Sequence, residues 1–306
     1  MLKEKASQAD HVPLAARPAR RRRNMTPYMF LLPASIVLLL IFFYPMLNGL
    51  YTSFTHYNQY TDTTSIAGFR NYAAVLHDPS FWNSMQRSVI WVFFSVVGQF
   101  VIGFAFALLL NERWPGNRLM RAIVLIPWVM PGVSVALTWN LIYNGQFGLL
   151  NDVLFRLGLP PTQWLADPNM AMVAVIIANV WKAFPFVTIT MLAGLAAIPE
   201  ELYAAARVDG ASVLDRFVHV TLPQLRNIML VVILLMVVWT FNYFDLVFVL
   251  TQGGPAQGTE IAPILVARYA FQQFDYGLAA TVAIIMTLFN VIFAILYISV
   301  LRRSDA

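Results

Sequence analysis

Between two long apolar runs lies Ile198-Pro199-Glu200-Glu201-Leu202-Tyr203-Ala204-Ala205-Ala206-Arg207-Val208-Asp209-Gly210, then Ala211-Ser212 and on to Thr221-Leu222-Pro223. Pro199 suits the first position of a helix, where no backbone N–H is needed. Glu200 and Glu201 complement the positive end of the helix dipole, three alanines carry the interior, and Gly210 suits a left-handed stop. The stretch predicts a short helix, a turn, and a second helix from near Ser212 that ends by Leu222-Pro223. Such a hairpin, residues 199–223, is too long for a plain connection and too small to bury a core of its own. It has to dock on something.

The composition around the hairpin points to lipid. Of the 306 residues, 59% are hydrophobic and only 11% charged, and mean hydropathy is +0.66. Globular chains carry about 25% charged residues, so the surface that lacks charge must face hydrocarbon. Apolar runs of about 20 residues, enough to cross about 30 Å of bilayer core, read as spans. They fall at Tyr28–Tyr51, Val89–Leu110, Leu119–Ile142, Met170–Leu195, Ile228–Leu250 and Gly277–Leu301. None alternates like a barrel strand, and backbone in lipid must satisfy its own hydrogen bonds, so the spans are helices. The predicted fold class is an all-α membrane protein, a six-helix bundle over residues 25–306 behind a basic tail at 1–24.

With the N-terminus inside, the inner pieces hold Lys3, Lys5, Arg17, Arg20 to Arg23, Arg113, Arg118, Arg121, Arg207, Arg216, Arg226, Arg302 and Arg303. The outer pieces hold only Arg70, Arg87, Arg156 and Arg268, and Lys182 lies within a span. The positive-inside rule then predicts both termini in the cytoplasm. Arg20 to Arg23 reads as an inside anchor that meets anionic lipid headgroups, with no nucleic-acid partner expected. The first span is too long for a secretory h-region and lacks a small-residue cleavage site, so it reads as an uncleaved anchor. Outer segments 52–86, 143–168 and 251–276 read as short caps, with turn chemistry at Asp78-Pro79, Pro160-Pro161 and Asp167-Pro168 and interface aromatics at Trp82 and Trp164. The absence of cysteine excludes disulfides and thiolate metal sites, and His11, His56, His77 and His219 are too scattered to suggest zinc.

The hairpin resembles the cytoplasmic signature shared by permease subunits of binding-protein-dependent ABC importers: Glu-Ala-Ala, three residues, Gly, nine residues, Ile-x-Leu-Pro. Here Ala204-Ala205-Ala206 is followed after three residues by Gly210 and after nine more by Val220-Thr221-Leu222-Pro223. Asp209-Gly210-Ala211 is similar to the carbohydrate-importer branch, the maltose and glycerol-3-phosphate type. So are Leu192-Ala193-Gly194-Leu195, Gly68 with Asn71-Tyr72, Trp181-Lys182 with Pro185-Phe186, and Leu250-Thr251-Gln252-Gly253-Gly254-Pro255 with Thr259. The resemblance runs from Pro27 to Arg303 and implies a multi-pass permease of the bacterial cytoplasmic (inner) membrane. It also implies that the hairpin is a coupling helix seated in a cleft of a cytoplasmic ATPase dimer, with Glu201, Ala204, Ala205, Ala206, Asp209, Gly210, Leu222 and Pro223 at the contact. A second permease subunit and an extracytoplasmic solute-binding protein, facing Gly253, Gly254 and Pro255, complete the implied assembly. One departure stands out: the leading Glu of the signature is Ala204 here, so its ion pair is absent or taken over by Glu201, one turn earlier.

A phosphate-binding loop needs Gly, four residues, then Gly-Lys-Ser or Gly-Lys-Thr, and Lys3, Lys5 and Lys182 all lack that setting. No cofactor, metal or catalytic residue is therefore expected on this chain; ATP and magnesium belong to the partner ATPase. Ionisable groups inside spans cost about 2.5 to 3.5 kcal/mol at mid-helix, which makes Lys182 and Asp245 candidates for the solute pathway. Trp239, Asn242 and Asp245 recur every three residues and so are expected on one helix face. Lys182 reads either as a donor to the solute or as a structural group, paired with Asp245 or with a neighbouring carbonyl. Trp181, Asn140, Tyr243, Gln99 and Trp139 join the candidates, because aromatic platforms with amide and carboxylate partners suit a sugar ring. Pro127, Pro131-Gly132 and Pro185 interrupt the middle spans and are expected to kink them.

These readings converge on a non-catalytic permease subunit of an ATP-driven importer for a sugar or sugar-derived solute (oligosaccharide, glycoside or polyol phosphate), working by alternating access. The alternative is a self-sufficient secondary transporter or channel, which would carry inverted repeats or a relay of buried acids. An intramembrane enzyme would need a constellation of His, Asp or Ser in the spans.

Overall fold

The computed structural model describes residues 26–58, 63–112 and 114–304. The basic tail 1–24, with Arg20 to Arg23, and Arg113 lie outside the described residues. The chain divides into two compact units, residues 1–48 and 49–306. Helix α1 runs Thr26–Leu38, passes a π-helical turn at Leu39–Phe43 and continues as Tyr44–Ser53. No side chain from Met29 to Asn48 is buried. A surface of Leu, Ile and Phe of that kind is stable only against lipid or another apolar partner.

In the second unit a small hairpin comes first, β1 (Thr55–Asn58) against β2 (Thr63–Ile66), with Thr55 opposite Ile66 and Asn58 opposite Thr63. It sits in the segment read from sequence as a plain cap. Helix α2 (Arg70–His77) follows, and Asn71 Nδ2 donates to the Ser53 and Thr55 carbonyls at 2.9 and 2.8 Å, fixing the hairpin's root.

Two long spans, α3 (Pro79–Asn111) and α7 (Pro168–Ala197), form the spine. Both begin at an Asp-Pro pair, and both pairs are helix caps. Asp78 Oδ1 accepts from Ser80 N at 2.8 Å, and Asp167 Oδ1 accepts from Asn169 N and Met170 N at 3.0 and 2.9 Å. The carboxylate satisfies N–H groups that the first turn leaves free, and Pro at N1 has none to satisfy. The spans approach closely because Gly103 presents no side chain. A Cβ there would lie 2.6 Å from the Phe184 carbonyl oxygen and from Val187.

Between them, the third span is not one helix. It splits into α4 (Asn117–Val129) and α5 (Gly132–Ile142), bent by 98°. Pro131 forces Met130 out of helical geometry, to φ −65° and ψ 136°, and cannot itself donate. Pro127 is accommodated inside α4 without a break. Short α6 (Leu149–Arg156) leads to α7.

The hairpin forms as α8 (Glu200–Val208), then α9, which opens as Val213–Arg216. Pro199 is the cap in extended geometry rather than the first helical residue. Gly210, at φ +79°, ends α8: Ala211 N donates to Ala206 O and Gly210 N to Arg207 O, a Schellman pair. Ser212 and Asp215 close a reciprocal capping box that starts α9. The second helix does not stop at Leu222-Pro223; α9 continues to Phe241 as a membrane span. A π-helical turn at Phe217–Thr221 shifts the hydrogen-bond register where Pro223 has no N–H to donate, so the helix passes through.

The fifth span begins before the apolar run Ile228–Leu250 and also ends before it does. α9 ends at Phe241, and α10 (Asp245–Thr251) starts afresh after an irregular turn and packs on α5. Segment 251–276 is no cap. It contains α11 (Ala262–Ala267), and residues 258–265 are buried without interruption. The final span is α12 (Tyr276–Ser304). Among the described residues, five helices are long and apolar enough to cross a membrane, and the bent α4–α5 pair makes six.

Candidate functional site

The two breaks, Met130-Pro131 and Asn242 to Phe244, face each other. A Cβ on Gly132, the first residue of α5, would lie 2.8 Å from the Tyr243 hydroxyl and 3.2 Å from Asp245 Cβ. On the other side of the break, Lys182 Nζ donates to the Met130 carbonyl at 2.8 Å. Of the two structural partners considered for Lys182, the carbonyl is the one bonded. Asn242 bonds back to the last turn of α9, its Nδ2 donating to Val238 O at 2.7 Å, and its Oδ1 accepts from Asn290 Nδ2 of α12 at 3.3 Å.

Beside these breaks lies a cavity of about 400 Å³ lined by Trp128, Asn179, Lys182, Phe186, Trp239, Asn242 and Tyr243, among others. Its aromatic wall is continuous: Phe186 meets Trp239 edge-on at 4.9 Å between ring centroids and Trp128 at 5.9 Å. Asn179 is only 3% exposed, and its Nδ2 has no partner. Gln99 Nε2 reaches the Asn179 carbonyl at 3.4 Å. The Tyr243 hydroxyl is also buried and unpaired. Buried polar atoms without partners are costly, and here they border a space that a hydroxylated molecule could fill.

The structure thus gathers Lys182, Trp239, Asn242 and Tyr243 from the sequence candidates around one space. The other candidates lie elsewhere. Gln99 is buried behind Asn179, and Trp181 and Trp139 meet edge-on at 5.8 Å inside an aromatic core. Asn140 is exposed on α5, and Asp245 sits against Gly132, outside the lining. The shared face expected for Trp239, Asn242 and Asp245 fails because the helix ends at Phe241. Trp128 and Asn179 are absent from the sequence candidates, and Phe186 enters there only through the resemblance, not as a pathway residue. Asn179, Lys182, Ala183 and Phe186 follow an i, i+3, i+4, i+7 stripe, so helical periodicity anchored on Lys182 was the available signal.

At the hairpin, Glu201, Ala205, Asp209, Gly210 and Pro223 are exposed, and Ala204, Ala206 and Leu222 are half-buried. The tip carries unread apolar side chains, Val208, Val213 and Leu214, which are 88%, 75% and 70% exposed. Tyr203 and Thr221 hydroxyls meet at 3.0 Å and brace α8 on α9. At the opposite end, Gly253 is buried and Gly254 and Pro255 are half-buried, leaving Ala256 and Gln257 as the exposed tip of that turn.

This arrangement has counterparts. Residues 99–305 match the family described as the binding-protein-dependent transport system inner membrane component. The chain belongs to that family. As an inner-membrane permease component it is 39% identical to the trehalose/maltose transport system permease protein MalF of Thermococcus litoralis, over 91% of this chain and 94% of that protein. It is 31% identical to the diacetylchitobiose uptake system permease protein DasB of Streptomyces coelicolor, over 95% and 90% of the two chains. A crystal structure of a bacterial ABC transporter that imports the acidic polysaccharide alginate matches the permease fold with a TM-score of 0.78 at 23% identity, over 92% of this chain and 96% of that one.

Proposed function

We propose that this permease carries a sugar or sugar-derived solute inward through the cavity beside the two breaks, driven by an ATPase dimer docked on the hairpin. The observation that supports this most is the cavity's makeup: a wall of Trp128, Phe186 and Trp239 facing the amides of Asn179 and Asn242 and the hydroxyl of Tyr243. Apolar ring faces and a hydroxyl rim are what such a surface complements. Relatives named for trehalose/maltose and diacetylchitobiose transport support the solute class.

In this reading both termini are cytoplasmic, and a second permease subunit completes the pathway. An extracytoplasmic solute-binding protein docks at the turn that holds Gly253, Gly254 and Pro255. ATP and magnesium are bound by the ATPase alone. Its closure moves the hairpins as rigid bodies, and the breaks allow the bundle to alternate its access. The exposed Val208, Val213 and Leu214 give the hairpin an apolar contact that does not depend on the carboxylate missing at Ala204.

The test is uptake by the reconstituted importer with labelled trehalose, maltose and diacetylchitobiose as probes. Asn179→Ala and Trp239→Ala are expected to lower uptake about tenfold or more while the ATPase still co-purifies. Leu214→Asp is expected to release the ATPase without loss of the folded permease. Wild-type uptake in the cavity variants, or an ATPase retained by Leu214→Asp and absent from no preparation, would refute the respective assignment.

A further inference from the structure

We infer that Lys182 is a positioning residue that holds the break in the third span, and that its charge is committed to the backbone rather than offered to the solute. An ammonium within a span needs a partner, and three are possible in principle: an anionic solute, an acid, or a carbonyl freed from a helix. The bond found is the third. Met130 follows the last residue of α4, Pro131 cannot donate back into that helix, and the final carbonyls of α4 are left without N–H partners. Lys182 Nζ reaches the Met130 oxygen at 2.8 Å, where the helix dipole is negative.

Asp245 completes the arrangement. It lies against Gly132, the first residue of α5, where a Cβ would come within 3.4 Å of its Oδ2. This is the positive end of the second half-helix. Asp245 is also close enough for its charge to act on Lys182. Lys182 and Asp245 therefore stand at opposite dipole ends of one broken span, and each favours the broken over the continuous form. The groups left to face a solute in the cavity are uncharged: Asn179, Asn242 and Tyr243.

The chain has no cysteine, so spin labels can be placed at Leu119→Cys and Leu141→Cys, both exposed on the two halves of the span. With the full importer in lipid nanodiscs, the separation should be about 21 Å at the observed bend, against about 33 Å for a straight helix of the same length. Lys182→Met is expected to broaden the distribution toward longer distances, and Lys182→Arg to restore the wild-type one. A Lys182→Met distribution that coincides with the wild type overturns the inference. Should that variant not fold, Lys182→Gln against Lys182→Arg decides. A broader distribution for Gln supports the inference, and identical ones refute it. With labelled trehalose as probe, the inference expects Lys182→Met to lower Vmax about tenfold with KM within about twofold. A raised KM at unchanged Vmax, with the label distance unmoved, assigns Lys182 to the solute instead. The distance measurement uses no solute, so it stands whether or not trehalose is carried.

Discussion

At the end of the bundle holding segment 251–276, the polar contacts join residues far apart in the chain. Tyr269 donates to Asp78 across 191 positions, Ser84 to Glu260 across 176, and Arg87 to the Gly258 carbonyl across 171. The hairpin at the other end closes on itself: Ser212 with Asp215, Arg207 with Glu200, and at the furthest Tyr203 with Thr221, 18 positions away. The first end is scaffold, because its groups are buried or half-buried and each depends on a partner from a distant segment. The second is a self-contained knob that keeps its shape with its apolar tip uncovered. In the proposed function, where the hairpin presses on an ATPase, it has to be stiff without being immersed in its own core.

The sharpest way to break this contrast is Glu260→Ala. It takes from Arg268 its ion-pair partner, the Glu260 carboxylate 3.1 Å from its Nε in a mostly buried pair. Removing one partner of such a pair costs about 3 to 5 kcal/mol, to be seen as a lowered unfolding temperature in detergent. A smaller loss is expected for Gly132→Ala, where the added methyl meets Tyr243 and Asp245. Overpacking of this kind costs about 1 to 3 kcal/mol, and transport should fall with it.

Asp78→Asn keeps a capping side chain but gives up the charged acceptor of the Tyr269 hydroxyl; it should cost about 1 kcal/mol, and its pH dependence has a definite sign. Burial works against the Asp78 carboxylate, but hydrogen bonds from Tyr269 and Ser80 and the charge of Arg268 outweigh it, so its pKa is lowered. Stabilisation by a lowered carboxylate is present above the unfolded value, about 3.9, and is lost as pH falls through the folded one. The gap between wild type and Asp78→Asn should therefore be open at pH 7 and close below about pH 4. The smallest effect on stability is expected from Leu214→Asp at the exposed tip, within about 0.5 kcal/mol. A large drop in unfolding temperature there would show that the hairpin is not independent of the bundle.

Length and hydropathy were enough for the helical class and the general places of the spans, because a bilayer imposes one length and one backbone solution on every crossing. The hairpin was readable for a different reason. Its caps are local: Gly210 needs only its own positive φ, and Ser212 needs only Asp215 three residues on. What escaped was whatever depends on two distant segments. Pro131 announced an interruption, yet a kink and a 98° turn look alike in sequence. The difference lies in Lys182, 52 positions on, bonding the freed carbonyl. Apolar residues on both sides carried the fifth run past Phe241, although Asn242, Tyr243 and Asp245 interrupt them.

Sequence by itself determined that this chain lives in lipid, how many times it can cross, and that a short stiff hairpin protrudes between two crossings. These follow from one-dimensional quantities: apolar run length, charge placement and capping residues within a few positions of each other. Only the tertiary structure decided that two spans break opposite one another, that Asn179 and Phe186 join Lys182 around one cavity, and that Glu260 and Arg268 are buried together. Those outcomes rest on pairings of polar and charged groups across the bundle. In a medium that offers no water, a group's partner sets its conformation, and the partner is found only once the helices have packed.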